Sequence, residues 1–302
     1  MRFILIFLFS ILLSQVSPVA HAVTPAALTR ATADWNRLAG KHVKANGGVD
    51  YRGFEADLPL LKAFIDAYKV KGLASMSDKE KTAAWINLYN ATMIYNVLRF
   101  VSSKKISLTS KEFTDLMINE ISIPGGNIWN GDYKVRIGDV PVHLDDIEHG
   151  LIRGQADGPA AALKVSRLDP RIHAAVNCAA KSCPPVRNTA YTAANLERML
   201  QENMVTWLNN PEQFKKLDDE TLRANQIVFW YYDDFDDHAL GLKQGGAGEW
   251  LSGFLQKSNK HHAWIKDHLT KHFNDRSRLT LKFSPAFQFY YDWRVNDVRN
   301  MK

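Results

Sequence analysis

The side chains best suited to chemistry lie in one stretch of the sequence, residues 173–187, which reads HAAVNCAAKSCPPVR. It contains the only two cysteines of the chain, Cys178 and Cys183, and two prolines follow directly. Three kinds of chemistry fit this pattern. The thiols can close a local disulfide, one of them can act as a nucleophile, or both can join a histidine as metal ligands. The separation of five residues leaves all three open, although it is longer than that of the usual zinc-binding cysteine pair.

A nucleophilic cysteine needs a base or a nearby cation that makes its thiolate available. His149 is the first candidate base, because Asp145 and Asp146 precede it by four and three residues. On a helix these spacings bring a carboxylate close enough to orient the imidazole. His143 is the runner-up and His238 is a third candidate.

His173 is the histidine nearest to Cys178 in the sequence. The apolar run 172–176 predicts a buried strand, and on a continuous strand side chains five residues apart point to opposite faces. His173 is therefore the weaker candidate base, although it stays among the predicted binding residues. Asn177 precedes Cys178 directly, and its amide can donate to a developing oxyanion.

The segment around residues 77–99 predicts the helix that positions these groups. Ser77 and Glu80 have the spacing of a capping box, and residues 82–98 carry no charge. A helix that is apolar all round is a buried central helix. Asn87 and Asn90 are its polar exceptions on one face, and they either position substrate or tie down neighbouring loops.

The remaining patterns predict an α+β fold, a single helix-rich domain with a small, mostly antiparallel sheet packed on the central helix. Helices are predicted over 25–45, 57–70, 191–208 and 249–273, with a helix beginning at 145–153. Extended segments are predicted over 49–54, 133–137, 140–144, 172–176, 226–232, 279–283 and 287–293. Helices and strands do not alternate regularly enough for a doubly wound fold.

The first 22 residues have the pattern of a secretory signal peptide. Arg2 precedes an apolar run too short to span a membrane comfortably, and the small-x-small sequence 20–22 predicts cleavage between Ala22 and Val23. The mature domain then covers residues 23–302. We expect a periplasmic or secreted protein without a later membrane-spanning segment, in a compartment where cysteine pairs tend to oxidise.

Composition predicts no nucleic-acid partner. The chain carries 38 basic and 32 acidic residues, a formal charge of +6, and this excess is spread without blocks of like charge or an aromatic-basic stripe. No cofactor and no dedicated metal site are predicted. A partner in the cell envelope, either substrate or protein, is expected from export alone.

Several separated motifs, in order, resemble the family called domain of unknown function 547. They are 85–90 (WINLYN), 143–149 (HLDDIEH), 177–178 with 182–184 (NC and SCP), 230–231 with 234–235 (WY and DF), and 291–296 (YDWRVN). The resemblance covers residues 49–296 and implies an exported bacterial member. The family brings no established activity, and in some of its plant members serine stands where Cys183 does. The resemblance therefore implies that Cys178 is the thiol of greater interest.

The sequence favours a thiol-dependent hydrolase or acyltransferase that acts on amide or peptide bonds of the envelope. Cys178 is its predicted nucleophile, with Asn177 and Asn87 positioning substrate or oxyanion. Asn90, Glu148, His143, His173 and Cys183 are predicted to line the site. The alternatives are a non-enzymatic periplasmic binding or scaffold protein with a Cys178–Cys183 disulfide, and a metal-binding protein that uses His149, Glu148 and a cysteine.

Overall fold

The structure is a computed structural model that describes residues 25–236, 246–274, 279 and 285–301. The α-helices are Ala26–His42, Tyr51–Ala56, Leu58–Asp66, Asp78–Lys104, Lys111–Thr114, Leu196–Leu208, Ile227–Trp230, Tyr232–Phe235, Ala247–Ser252 and His262–His272. Short 3₁₀ turns cover Ala67–Lys69, Leu73–Ser75, Ile118–Glu120, Gly158–Leu163 and Pro170–Ala174, and Asp146–Ile152 forms a π-helix. The predicted signal peptide and its cleavage point lie outside the described residues, and the single-domain organisation stays a prediction.

The helix Asp78–Lys104, called the central helix below, begins at the predicted capping box. The Ser77 hydroxyl accepts from the backbone of Glu80, and the Glu80 carboxylate accepts from the backbone of Ser77. Trp85 is fully buried and donates from its indole to the carbonyl of Leu163 at 3.0 Å. Burial continues around the helix, so the prediction of a buried central helix is confirmed.

The strands form small sheets, and the α+β class is confirmed. Ser122–Ile123 pairs antiparallel with Gly126–Asn127, and Val135–Ile137 pairs antiparallel with Val140–Val142, which is the predicted hairpin. In the third sheet, Leu222–Asn225 lies between antiparallel Phe214–Lys216 and parallel Phe287–Tyr290.

Two hydrophobic clusters form the described interior. The first surrounds the central helix and includes Trp85, Phe54 and Phe113. The second lies around the end of the helix Leu196–Leu208 and the three-stranded sheet, and it includes Trp207 and Phe235. The partly buried side chain of Cys178 packs against both clusters, which places the cysteine stretch at their junction.

Three predicted strands are helical in the structure. Residues 172–176 belong largely to the turn Pro170–Ala174, because Pro170 occupies its first position and Asp169 accepts from the backbone of Arg171. Residues 226–232 form two short helices, since the Asn225 side chain caps the amide of Ile227. Asp50 likewise starts the helix Tyr51–Ala56 by accepting from Gly53.

Other predicted boundaries shift by less. The predicted helix 249–273 is two helices, and the helix expected near residue 191 begins at Leu196 after a turn. The predicted strand 279–283 lies outside the described residues except for Leu279. Within the described ranges, no helix combines the length and apolar character that crossing a bilayer requires.

Candidate functional site

A cavity of about 250 Å³ opens where the two clusters meet. Its wall contains both cysteines, two imidazoles, two carboxylates and a group of aromatic rings. The lining residues are Tyr89, Trp129, Asp145, Glu148, His149, His173, Val176, Cys178, Cys183, Ile227, Trp230, Tyr231, Tyr291 and Trp293. Titratable groups gathered in an apolar cavity are the usual sign of a functional site.

The cysteine loop, residues 178–183, is held by the C-terminal segment of the chain. The amide of Lys181 donates to the carbonyl of Arg294 at 2.7 Å. The amide of Asn296 donates to the carbonyl of Ala179 at 2.8 Å. Ala179 adopts a left-handed backbone conformation with φ of 63°, which is unusual for a residue with a Cβ atom. This strained turn lies directly after Cys178, and such strain is often found at functional sites.

Cys178 and Cys183 are joined by a disulfide. The hydroxyl of Tyr291 lies 2.9 Å from Cys178 Sγ and 3.0 Å from Cys183 Sγ. The backbone amide of Cys178 also donates to Cys183 Sγ, at 3.0 Å. Of the three possibilities left open by the spacing, the structure contains the disulfide.

His173 is held by a carboxylate that the sequence did not assign to the site. Its Nε2 lies 2.7 Å from Asp234 Oδ2, and its ring stacks on Tyr231 with centroids 3.8 Å apart. Because an ionised carboxylate only accepts, Nε2 carries the proton and Nδ1 keeps its lone pair. His173 is 2% exposed, and Nδ1 has no hydrogen-bond partner among the described residues.

Electrostatics keep this pair as a neutral imidazole beside an anion. Burial lowers the pKa of His173, and the hydrogen bond that His173 donates to Asp234 opposes that effect only in part. Burial alone would raise the pKa of Asp234, but hydrogen bonds from His173 and Arg153 outweigh it and lower the pKa to about 2. An oriented, neutral imidazole with a free lone pair is what a general base requires.

Arg153 connects the two histidines of the cavity. Its guanidinium binds Asp234 through two nitrogens, at 2.7 and 2.8 Å, and its Nη1 lies 2.9 Å from His149 Nδ1. A guanidinium cannot accept a hydrogen bond, so Nδ1 of His149 accepts and the neutral ring carries its proton on Nε2. In this arrangement His149 has a proton to donate and no lone pair available.

The two lining carboxylates have different surroundings. Glu148 is 6% exposed and accepts from the Tyr231 hydroxyl at 2.5 Å, and it also hydrogen-bonds Tyr89. Asp145 is half-buried, and burial raises its pKa, reinforced by the nearby negative charge of Glu148 against the opposing effect of His149.

Aromatic rings form one side of the cavity. Trp293 contacts the rings of Trp129, Trp230 and Tyr291, with centroid distances of 6.0, 5.5 and 4.5 Å. Trp230 is 38% exposed, which makes it one of the few large apolar side chains at the surface among the described residues. The rings provide a broad apolar face beside the disulfide.

The predicted asparagines are not among the lining residues of the cavity, and their side chains hold backbone segments in place. The Asn177 amide donates to Pro184 at 2.7 Å, and its oxygen accepts from the backbone of Ala179 at 2.8 Å. Asn90 binds the backbone of residues 175 and 177. Asn87 uses both ends of its amide on the backbone of Tyr191. These contacts are the loop-tying role that the sequence left open for Asn87 and Asn90.

The structure brings together most of the predicted site residues: Cys178, Cys183, Asp145, Glu148, His149 and His173 all line the cavity. His143 and Asp146 pair with each other at 2.6 Å and are not among the lining residues. His238 lies outside the described residues. Sequence reasoning assigned no role to Arg153, Tyr231, Asp234 or Tyr291, although three of these belong to the motifs that carry the family resemblance.

Residues 73–208 match the model of a family described as a protein of unknown function, DUF547. The match confirms the resemblance over residues 73–208, and the motifs at 230–235 and 291–296 lie outside it. The DUF547 match contains the central helix, the π-helix and both cysteines, whereas Asp234, Tyr231 and Tyr291 follow it in the chain. No curated protein and no solved structure matches the chain.

The geometry of the site does not favour the metal-binding alternative. Within the described part of the chain, no three His, Cys, Asp or Glu side chains are grouped so that they could hold a metal ion. The combination of His149, Glu148 and a cysteine therefore lacks the required arrangement.

Proposed function

We propose that the protein is a thiol-dependent hydrolase or acyltransferase in which reduced Cys178 is the nucleophile and His173 is the general base. One observation carries the proposal. Cys178 shares a cavity with His173, whose Nε2 is fixed by Asp234 and whose buried Nδ1 has no partner in the described structure. A nucleophile, a base and an orienting carboxylate are the three parts of a catalytic triad.

In the proposed reaction, His173 Nδ1 takes the proton of the Cys178 thiol. The thiolate attacks the carbonyl carbon of the substrate, and the leaving group departs with the proton held by His173. A thioester on Cys178 results. Water then releases the acid, or an amine accepts the acyl group, and the thiol is restored.

His149 has a different part in this proposal from the one that the sequence suggested. Because its Nδ1 accepts from Arg153, its Nε2–H is available to stabilise negative charge on the substrate oxygen. The Tyr291 hydroxyl, already within 3.0 Å of both sulfurs, is a second available donor. The predicted dyad of Cys178 and His149 is thus replaced by Cys178, His173 and Asp234.

The proposed substrates are amide or peptide bonds of the cell envelope, and the proposed location is the periplasm or the exterior. Both rest on the signal-peptide pattern of residues 1–22. The aromatic side of the cavity supports a substrate that presents an apolar face next to the bond that reacts.

Acyl-enzyme formation tests the proposal directly. Cys183→Ser leaves Cys178 as the single thiol, and this variant should release a burst of nitrophenol from p-nitrophenyl acetate and gain one acetyl group by mass. The matched control Cys178→Ser should give neither. A Cys183→Ser protein that folds but gains no acyl group from activated esters would refute the proposal.

The closed disulfide favours a second candidate, a binding or scaffold protein of the envelope. In that case the bond between Cys178 and Cys183 pins a loop beside an aromatic recognition surface. Both single cysteine variants would then be equally inert toward the ester, and both would lose thermal stability by similar amounts.

A further inference from the structure

The two sulfurs of the disulfide are not equivalent. Cys183 is 4% exposed, whereas Cys178 is more exposed and contacts both hydrophobic clusters at the cavity. An incoming thiol therefore reaches Cys178 more easily. Access is one of the factors that decide which sulfur of a disulfide is attacked.

Hydrogen bonds add to this difference. The backbone amide of Cys178 donates to Cys183 Sγ at 3.0 Å, a contact that belongs to Cys183 alone. The Tyr291 hydroxyl lies 3.0 Å from Cys183 Sγ and 2.9 Å from Cys178 Sγ, so it can turn toward negative charge on Cys183 when the bond opens. Donors aimed at a sulfur stabilise its thiolate, and a stabilised thiolate is the better leaving group in exchange.

We propose that the Cys178–Cys183 bond is a thiol-exchange site that opens by attack of an external thiol at Cys178. The thiolate of the co-reactant, a small or protein thiol, forms a new bond to Cys178 Sγ. The bond between the two cysteines breaks, and Cys183 leaves as a thiolate. A second thiolate attacks the sulfur of the co-reactant, which releases a disulfide of the co-reactant and leaves Cys178 as a thiolate.

This exchange has a consequence that rests on the proposed function. Cys178 can attack a carbonyl only after the bond has opened, so acyl transfer requires a thiol reductant. The reverse reaction closes the bond again and blocks the nucleophile. The protein would be active in its reduced form and silent in the form described here.

Trapping of the mixed disulfide tests the proposal. Oxidised protein is incubated with reduced glutathione, quenched in acid, digested and analysed by mass. We expect a glutathione adduct on Cys178 and a free thiol at Cys183. A bond that stays closed in millimolar glutathione, or an adduct found predominantly on Cys183, would overturn the proposal.

Tyr291→Phe tests the leaving-group argument in the same assay. Loss of one donor to Cys183 should slow opening by about tenfold. Tyr290→Phe is the matched control, because Tyr290 is the adjacent tyrosine and is 42% exposed. Equal opening rates for the two variants, with both folded by circular dichroism, would remove the role of Tyr291.

The outcomes separate the two proposals. Exchange is measured on the disulfide of the native chain and needs no acyl substrate. Acylation is measured on Cys183→Ser, which contains no disulfide. If exchange fails, the acylation experiment still tests the proposed function. If acylation fails, the exchange experiment still tests the disulfide.

Discussion

The central helix and the cysteine stretch show two ways in which this chain acquires structure. The helix Asp78–Lys104 begins at a capping box, and its side chains are buried on all sides. The segment 170–183 has no regular element longer than a 3₁₀ turn, and its shape depends on partners as distant as Asn90, Asp234 and Asn296. The first region stabilises the fold, whereas the second presents the reactive groups.

The reactive segment is therefore built from long-range contacts. Local propensity determines the helix, so it begins where the capping box predicts, although it ends at Lys104 and not near residue 99. The conformation of the cysteine stretch depends on side chains more than 50 residues away, so a local pattern misreads it as a strand. If this division holds, substitutions in the two regions should separate stability from reactivity.

Trp85→Ala should have the largest effect on stability. Trp85 is fully buried in the central helix, and its removal leaves a large cavity and an unpaired carbonyl on Leu163. We expect the free energy of unfolding to fall by about 3–5 kcal/mol. Urea unfolding measures it, with Tyr95→Phe on the same helix as the control. A loss well under 1 kcal/mol would contradict the claim that the central helix is the region that stabilises the fold.

Asn177→Ala should come next and should affect both properties. It removes bonds to Pro184, Ala179 and Asn296 at the turn that presents Cys178. We expect about 2–4 kcal/mol of lost stability, since buried groups stay unpaired, together with slower acylation of Cys178. Asn188→Ala, at an exposed position, is the control. Unchanged stability would show that the cysteine turn is held by other contacts.

Asn87→Ala should reduce stability without affecting the chemistry. Its amide binds the backbone of Tyr191 at 2.8 and 2.9 Å, and it is not a lining residue of the cavity. We expect a loss of about 1–3 kcal/mol, while the acylation rate stays within about twofold of the parent. A much slower rate in a folded variant would restore the substrate-positioning role predicted from the sequence.

Acid should weaken the fold through Asp234. Its pKa in the folded protein is about 2, below the ordinary value of about 3.9 for an aspartate. Stability from this group is therefore complete above about pH 4 and is lost as the pH falls toward 2. We expect a contribution on the order of 1–2 kcal/mol. Unfolding of Asp234→Asn across this range should show a shallower pH dependence, and an identical slope would contradict the assignment.

The sequence predicted the parts of the molecule that are determined locally. The capping box at Ser77, the uncharged run of the central helix and the hairpin at residues 135–142 all have local signals, and the structure confirms them. The α+β class follows from the same signals. Most of the predicted site residues meet in one cavity because they lie in only a few short stretches of the sequence.

The proposed base, His173, could not be predicted in this way. The sequence makes His173 the weaker base because side chains five residues apart on a strand point to opposite faces. The segment is not a strand, since Pro170 and Asp169 start a 3₁₀ turn there. The carboxylate that hydrogen-bonds His173, that of Asp234, lies 61 residues away in the sequence. In the sequence Asp234 is one of several aspartates in an acidic run, and composition alone cannot distinguish the one that pairs with an imidazole.

The rate of Cys178 alkylation in the Cys183→Ser background tests the central claim most directly. Iodoacetamide is added to this variant and to its His173→Asn and His149→Asn derivatives over a range of pH. Because burial lowers the pKa of His173, its imidazole stays neutral below the usual titration range of a histidine, and the acid limb of the rate profile should be shifted to lower pH accordingly. We predict that His173→Asn slows the reaction by about 100-fold or more and that His149→Asn slows it far less. The reverse order, or two equally mild effects, would contradict the assignment of His173 as the base.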